Sequence, residues 1–275
     1  MNKHELLQKI IQKRQKARPL AHSNNDFLIE NIVRKKEFSQ LPKRDIELAF
    51  SHFEKRQTSD EEKIKLTREL LHKVFGAFAS KKLLSPKNKS PEWILRKHLS
   101  TRERMLYYED LYKRLLGGFE KPTIIDLGAG VNGFSYKYLK KKINYIAIES
   151  MGQLTDLMND YFKKQKISGK AIHESLFELE KIKKIIAKAK KPKTVFLFKV
   201  LDSLEMLERD YSKKFLKEIV PLADKVVVSF ATQSMVKRQK FKAKRNWILN
   251  FIGDNFVLLK DFEIFGERYI CFEKK

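Results

Sequence analysis

Residues 123–134 read TIIDLGAGVNGF. The first five residues, rich in β-branched and apolar side chains, are typical of a strand. Gly128 and Gly130 follow at once, and glycine lets a backbone turn tightly and approach a ligand closely because it has no Cβ. The segment therefore predicts a strand, a tight turn and the start of a helix. Such a turn either holds a ligand or serves only as a structural connection.

On the C-terminal side of this segment, short β-rich runs alternate with amphipathic helical patterns. The predicted strands are residues 123–127, 145–149, 171–173, 194–199, 225–230, 256–259 and 268–272. Alternation of this kind gives an α/β fold, a mostly parallel sheet with helices on both faces. Only residues 260–267 separate the last two strands, which suits a hairpin. Seven strands with a closing hairpin predict the Rossmann-like layout of S-adenosylmethionine (SAM)-dependent methyltransferases.

On the N-terminal side the sequence has no β-rich run and is predicted to be helical. Residues 59–62 form a capping box, in which Ser59 accepts a hydrogen bond from the Glu62 amide at a helix start. Another predicted helix ends at Gly117 and Gly118, which suit a C-cap and a linker. We therefore expect an all-helical domain over residues 1–118 and a SAM-dependent methyltransferase domain over residues 119–275.

The composition indicates a basic globular protein. The 275 residues include 59 Lys and Arg against 34 Asp and Glu, a formal net charge of +25. Such a charge attracts polyanions, of which nucleic acid is the first candidate. The single cysteine, Cys271, excludes an intramolecular disulfide framework and a multi-cysteine metal site. With no secretory leader and no apolar run of about 20 residues, we expect a cytoplasmic monomer without metal or membrane.

The glycine-rich loop favours SAM over a dinucleotide. The glycines alone do not decide this, because Gly128, Gly130 and Gly133 have the Gly-x-Gly-x-x-Gly spacing of a dinucleotide loop. Asp126, just before the first glycine, is typical of SAM enzymes. Glu149 ends the second strand, where an acidic side chain can accept hydrogen bonds from both ribose hydroxyls. Asp126, Gly128, Gly130 and Glu149 are therefore predicted cofactor-binding residues.

Two further strand ends complete the predicted site. Ser175 and Leu176 follow the third strand, where SAM enzymes usually hold the adenine, although no Asp is present there. The fourth strand leads through Phe198 and Lys199 to Asp202, at the place where base methyltransferases keep their chemistry. We expect Phe198 at the cofactor and Lys199 and Asp202 as positioning groups for the reaction.

The residues after the fourth strand restrict the chemistry. The Asp/Asn-Pro-Pro-aromatic signature of amino-methylating enzymes is absent, and cytosine C5 methylation needs a thiolate that Cys271 is poorly placed to supply. Guanine N7 carries a lone pair and no proton, so its methylation needs in-line positioning without a general base. Lys199 and Asp202 could instead belong to a ribose 2′-O site, where a lysine lowers the pKa of the hydroxyl.

A family resemblance rests on residues 98–104, which read HLSTRER. They resemble the His-x-Ser-Thr-Arg-Glu-Arg signature of the Arm/Rmt aminoglycoside-resistance methyltransferases. Further matching pieces follow the family order, at residues 72–78, 126–132, 198–205 and 228–234. The resemblance implies SAM-dependent methylation of guanine N7 of 16S rRNA in the small (30S) ribosomal subunit. It also implies that His98, Ser100 and Arg104 close over the cofactor and that the helical domain docks on rRNA.

Departures from the family pattern indicate a divergent member. Asp202 and Ala231 stand where the family has Pro, Leu207 replaces a Gln, and residues 235–238 replace a stretch containing two glycines. Two alternatives stay open at this point. One is a non-catalytic ribosome-binding or assembly factor that keeps the fold, and the other is a methyltransferase of tRNA or of a ribose 2′-hydroxyl.

A basic stretch follows the fifth predicted strand, on the side of the sheet where ligands bind. It has no intervening acid and includes Phe241, so it suits phosphate contacts and base stacking. The predicted RNA-binding residues are Lys237, Arg238, Lys240, Lys242, Lys244 and Arg245. A target guanine would have to leave its stack, and Phe134 or Trp247 could cover it.

Overall fold

The structure is a computed structural model and describes residues 24–76, 80–84, 89–233 and 245–275. The first part of the described chain is helical, as predicted. Its helices are α1 (Asn24–Val33), α2 (Lys43–Glu54), α3 (Asp60–Leu71), α4 (Pro91–Lys97), α5 (Leu99–Arg104) and α6 (Tyr108–Leu116), with shorter turns at His72–Gly76 and Lys81–Leu84. At the start of α3 the Ser59 hydroxyl accepts a hydrogen bond from the Glu62 amide at 3.2 Å.

The second part alternates strands and helices and confirms the predicted α/β fold. The strands are β1 (Thr123–Leu127), β2 (Tyr145–Glu149), β3 (Gly169–His173), β4 (Lys193–Phe198), β5 (Lys225–Ala231), β6 (Phe256–Ile264) and β7 (Glu267–Lys274). The helices are α7 (Gly152–Lys164), α8 (Leu179–Lys188), α9 (Leu201–Leu207), α10 (Tyr211–Ile219) and α11 (Asn246–Asn255), with 3-10 turns at Asn132–Leu139 and Val220–Leu222.

The seven strands form one sheet in the order β3-β2-β1-β4-β5-β7-β6. The first five are parallel, whereas β7 runs antiparallel to β5 and β6. The chain proceeds outward from β1 in one direction and then returns to β4 on its other side. The crevice outside the carboxyl ends of the strands at such a reversal is the usual ligand site of open α/β sheets.

The β6–β7 hairpin is longer than the sequence pattern predicts. The three charged residues within 260–263 suggest a connection, but β6 continues to Ile264, which pairs with Glu267 of β7. An edge strand tolerates polar side chains because one of its sides faces water. Only Phe265 and Gly266 remain as the turn between the two strands.

Two apolar clusters cover the two faces of the sheet. In one cluster Leu28 and Ile46 of the N-terminal helices pack in continuity with Tyr108 and with Phe196 of β4. The other cluster is built around residues such as Phe215 and contains side chains of β1, β4 and β5. The helical region is therefore joined to the sheet through a shared core. Within the described ranges, no helix is both long and apolar enough to cross a membrane.

Candidate active site

A cavity lies at the carboxyl ends of β1, β2 and β4. Ten residues predicted from the sequence line it: His98, Ser100, Arg104, Asp126, Gly128, Gly130, Glu149, Leu176, Phe198 and Lys199. Residues predicted from five separate parts of the chain thus converge on one site.

The two loop glycines have backbone conformations that other residues rarely adopt. Gly128 has φ +70° and Gly130 has φ +55°, in the left-handed region where a Cβ is disfavoured. A Cβ on Gly130 would lie 2.6 Å from Nε2 of His98, and one on Gly128 would lie 2.6 Å from a methyl carbon of Val200. Both glycines are therefore required for the close packing of the loop against the residues that surround it.

Asp126 stabilises the glycine loop through hydrogen bonds. Its carboxylate accepts hydrogen bonds from the side-chain amide of Asn132 at 2.8 Å and from the hydroxyl of Tyr145. Only 1% of Asp126 is exposed, and burial raises its pKa. Asn132 also accepts a hydrogen bond from Tyr108 of α6 at 2.8 Å. The loop is thereby tied both to the sheet and to the helical region.

Glu149 lines the cavity and binds two backbone amides. Its two carboxylate oxygens accept hydrogen bonds from the amides of Gly130 at 2.8 Å and Met151 at 2.9 Å. Burial raises the pKa of Glu149, while these two backbone bonds oppose the rise. Each carboxylate oxygen has a second lone pair, so the side chain can hold the loop and still accept from a ligand hydroxyl.

His98 packs its ring against the glycine loop. The ring is 7% exposed, and burial, together with the positive charges of Arg104 and Lys199, lowers its pKa to about 3. At neutral pH the imidazole is therefore uncharged. A group with so low a pKa is also a weak general base.

Arg104 and Glu267 form a buried ion pair beside the cavity. Nε of Arg104 lies 3.1 Å from Oε2 of Glu267, and Nη2 lies 2.8 Å from Oε1. Nη2 also donates to the Ser100 hydroxyl at 2.7 Å, and the guanidinium lies 4.6 Å from the centre of the Phe198 ring. These contacts hold the positively charged guanidinium at the wall of the cavity, where it can attract an anionic group such as a ligand carboxylate.

Glu267 is a site residue that sequence reasoning missed. Burial alone would raise its pKa, but Arg104 and Lys199 outweigh that effect and lower it to about 2. Ser229 of β5 also donates to Glu267, at 2.5 Å. The only signal in the sequence is an acidic residue at the start of strand β7. Nothing local connects it to residues 98–104.

Lys199 lies between two carboxylates. Its Nζ is 2.5 Å from Oε2 of Glu103 and 3.2 Å from Oε2 of Glu267, and the side chain is 6% exposed. The backbone at Lys199 has φ +58°, a strained conformation for a residue with a Cβ. Strain of this kind is concentrated at functional sites. Lys199 is thus held rigidly at the end of β4, on the wall of the cavity.

Among the predicted catalytic and cofactor-binding residues, Asp202 and Ser175 do not line the cavity. Asp202, in the first turn of α9, forms an ion pair with Arg245, with Nη2 2.7 Å from Oδ2. Arg245 also donates to the backbone oxygen of Ala231 at 2.7 Å. This predicted RNA-binding residue therefore binds the last residue of β5. The other predicted RNA-binding residues, Lys237, Arg238, Lys240, Lys242 and Lys244, lie outside the described residues.

Ser175 lies behind the cavity wall and contacts the helical region. Its hydroxyl donates to Asp45 of α2 and accepts from the Phe177 amide at 3.0 Å. Asp45 is fully buried, and burial raises its pKa to about 6 despite the hydrogen bond from Ser175. An acid from a distant helix thus lies next to the end of β3, where the sequence itself lacks one. This contact was not visible in the sequence.

The two aromatic residues considered as covers for a target base lie elsewhere. Phe134 is 2% exposed and stacks on Tyr161 with a centroid distance of 4.5 Å. Trp247 is 37% exposed and has Lys213 above its ring at 5.7 Å. Neither of them lines the cavity. Phe134 is a core residue, and Trp247 belongs to the outer face of α11.

The residues present fit an adenosyl amino acid such as SAM. The glycine loop presents its backbone to the cavity, Glu149 can accept from ribose hydroxyls, and the guanidinium of Arg104 can attract a carboxylate. The intervening walls are apolar, including Leu176 and Phe198. Among the described residues no cluster of side chains is suited to hold a metal ion.

Among the solved structures with the same fold are three rRNA methylases. The chain is similar to the 16S rRNA methylase RmtB (TM-score 0.72, 16% identity, covering 93% of this chain and 100% of that one). It is similar to the 16S rRNA methyltransferase RmtF in complex with S-adenosyl-L-homocysteine (TM-score 0.75, 17% identity, 93% and 100%). It is also similar to an rRNA methylase from Escherichia coli (TM-score 0.73, 17% identity, 92% and 100%).

At these identities the three likenesses establish the fold. No curated protein sequence matches the chain. A family model described as ribosomal RNA methyltransferase (FmrO) matches residues 88–246, from the approach to α4 to the start of α11. This range contains most of the residues that line the cavity, and the match confirms the predicted relationship to the Arm/Rmt-type enzymes. The chain belongs to the FmrO family of ribosomal RNA methyltransferases.

Proposed function

We propose that the protein uses SAM to methylate N7 of a guanine in the 16S rRNA of the small ribosomal subunit. Family membership supports rRNA methylation, and the folds of RmtB and RmtF, both named as acting on 16S rRNA, support that target. When bound, SAM supplies an electrophilic methyl group on a sulfonium sulfur. Glu149, Arg104 and the backbone of the glycine loop would hold it.

The observation that carries the choice of N7 is the state of the ionisable groups near the end of β4. Glu103 and Glu267 are paired with Lys199, and Glu267 is also paired with Arg104. His98 is a weak base because its pKa is lowered to about 3. The described residues therefore offer no strong general base there. Guanine N7 needs none, because its lone pair is free and it carries no proton.

The same geometry assigns tasks to the chain's own residues. Phe198 and Lys199 end β4 at the cavity wall, where they can limit the position of a flipped base. Lys199 places a positive charge beside the cavity. The apolar walls and the buried ion pairs exclude water from the reacting atoms, which strengthens the electrostatic interactions inside.

We further propose that the helical domain, residues 1–118, and the methyltransferase domain, residues 119–275, both contact the 30S subunit. The net charge of +25 supports docking on a large folded RNA. On this proposal the enzyme acts as a monomer in the cytoplasm, where small ribosomal subunits are found. Phosphate contacts would set its orientation, while the cavity reads the target base.

The decisive experiment is to map modified nucleotides after incubating the protein with SAM and purified 30S subunits. We expect titration calorimetry to show SAM binding, and mass spectrometry with primer extension to show one 7-methylguanosine in 16S rRNA. A 2′-O-methylated nucleotide, or methylation of tRNA alone, would contradict the proposal. Binding to 30S subunits without methyl transfer would identify a non-catalytic ribosome-binding factor instead.

A further inference from the structure

The tip of the β6–β7 hairpin carries an aromatic residue in an unfavourable conformation. The turn consists of Phe265 and Gly266, with φ values of +44° and +77°. Two-residue hairpin turns with both φ values positive strongly prefer Asn-Gly or Asp-Gly. A bulky residue with positive φ is an outlier. Phe265 therefore costs stability at this position, which a turn without a further role would not require.

The Phe265 side chain is also held out into solvent. It is 73% exposed, and one face of its ring stacks on Tyr107 at a centroid distance of 3.7 Å and an interplanar angle of 10°. The neighbouring Leu106 is 86% exposed. Tyr107 thus supports the ring from one side, and the high exposure of Phe265 leaves the other face open. We call Leu106, Tyr107 and Phe265 the aromatic platform.

The aromatic platform lies next to the reaction site. Tyr107 and Phe265 line a small cleft together with Glu103, Arg104 and Glu267. Arg104 pairs with Glu267, and both carboxylates pair with Lys199. The hairpin tip is fixed to the end of β5, because the Thr232 amide donates to the Gly266 oxygen at 2.8 Å. The platform is therefore anchored rigidly beside the residues that hold Lys199.

The shape of the platform favours a nucleobase over a protein partner. A stable protein interface buries about 800 Å² on each partner, and three side chains cannot provide that area. A single nucleobase needs only one flat ring face, and aromatic side chains bind unpaired RNA bases by stacking. The net charge of +25 favours a polyanionic partner, and the exposed Arg102 precedes the platform on α5.

The reaction itself would supply such a base. An enzyme that methylates a base inside folded RNA takes it out of its stack and leaves its neighbours partly unstacked. We propose that the aromatic platform stacks on an unpaired rRNA base close to the target nucleotide. This contact would replace part of the base stacking that is lost when the target leaves its stack. This inference rests on the proposed function, because it requires rRNA at the cavity mouth.

The sharpest test is Phe265→Asn. Asparagine is favoured at this turn position, so the variant should keep or raise the melting temperature while it removes the ring. Base–aromatic stacking corresponds to about a 5- to 150-fold change in binding. We expect KM for 30S subunits to rise within that range, with SAM affinity unchanged. Phe265→Tyr should behave as wild type because it keeps the ring.

Leu258→Asn is the matched control, because Leu258 is 53% exposed on the same hairpin and does not belong to the platform. It should leave KM unchanged. A Phe265→Asn variant that methylates 30S subunits with wild-type KM would overturn the platform. A photoreactive residue at position 265 should cross-link to 16S rRNA, and a cross-link only to ribosomal protein would also overturn it. Failure of the wild-type protein to methylate rRNA would instead reject the proposed function.

Discussion

At the scale of single residues, the site depends on buried charged side chains that are paired with side chains of opposite charge. Glu267 faces both Arg104 and Lys199, and Lys199 also faces Glu103. Taking charges out of water is costly, and only good geometry with further hydrogen bonds offsets the cost. Ser100 and Ser229 supply such bonds to Arg104 and Glu267. The group therefore acts as a unit, and loss of one member affects the others.

Glu267→Gln should destabilise the protein by about 3–5 kcal/mol, because it leaves two buried cations with one acidic partner fewer. Urea unfolding would measure the free energy of unfolding. The control is Asp261→Asn, which breaks the more exposed pair with Arg268 on the same hairpin and should cost at most about 1 kcal/mol. Equal losses for the two variants would contradict the assignment of Glu267 to a buried network.

Asp45→Asn should change the pH dependence of stability. Burial raises the pKa of Asp45 from 3.8 to about 6, so the folded state holds a proton that the unfolded state has lost. The stability that this group contributes is fully present below pH 3.8 and is lost as the pH rises to about 6. Asparagine does not titrate and keeps an acceptor for Ser175.

The measurement is the free energy of unfolding of both proteins at several pH values from 3.5 to 7. Relative to the Asn variant, the wild type should lose up to about 3 kcal/mol as the pH rises across this window, and nothing further above it. A difference between the two proteins that does not change with pH would show that Asp45 titrates normally.

At the scale of elements, the site is built where strands end and the next segment begins. The carboxyl ends of parallel strands meet at one edge of the sheet, so β1, β2 and β4 deliver Gly128, Glu149 and Phe198 to the same cavity. The loop after β1 is further constrained, because the His98 ring packs against it. The position of α5, which follows His98, is therefore coupled to the shape of the loop.

Gly130→Ala should weaken SAM binding at least about tenfold. The new Cβ would lie 2.6 Å from the His98 ring, and a left-handed conformation costs an L-residue about 1–2 kcal/mol, close to a tenfold change in an equilibrium constant. Titration calorimetry with SAM would measure the affinity, and thermal unfolding would measure the accompanying loss of stability.

Gly253→Ala provides the control. Gly253 lies in α11, and an added Cβ there would meet nothing within 4 Å. Alanine in a helix is favoured over glycine by roughly 0.5–1 kcal/mol, so this variant should be slightly more stable and should bind SAM as wild type does. If both alanine variants bind SAM equally well, the loop does not hold the cofactor.

At the scale of the whole molecule, the helical region and the sheet share one apolar cluster. Polar contacts also join them, since Tyr108 donates to Asn132 and Ser175 donates to Asp45. The helical region thereby forms one wall of the cavity through His98, Ser100 and Arg104. A domain predicted mainly for docking on rRNA also contributes directly to the candidate active site.

The affinity for 30S subunits should fall steeply with salt. A protein that makes about 6–10 phosphate contacts loses roughly 10³–10⁵ in affinity between 50 and 200 mM salt, and a net charge of +25 supports a footprint of that size. SAM binding should change little, because the ion pair of Arg104 with Glu267 at its site is shielded from solvent. Filter binding at several salt concentrations would measure the slope, and a flat response would contradict phosphate docking.

Local sequence patterns, together with the family resemblance of residues 98–104, were sufficient for the strand and helix order, the glycine loop and part of the cavity wall. Each of these depends on residues close together in the chain, or on the rule that parallel strands end at one edge. Three features required the tertiary structure: the Arg104–Glu267 pair, the Asp45–Ser175 contact and the stacking of Phe265 on Tyr107. The first two join residues 163 and 130 positions apart. No periodicity or motif specifies such partners, because packing of distant elements alone brings their side chains together.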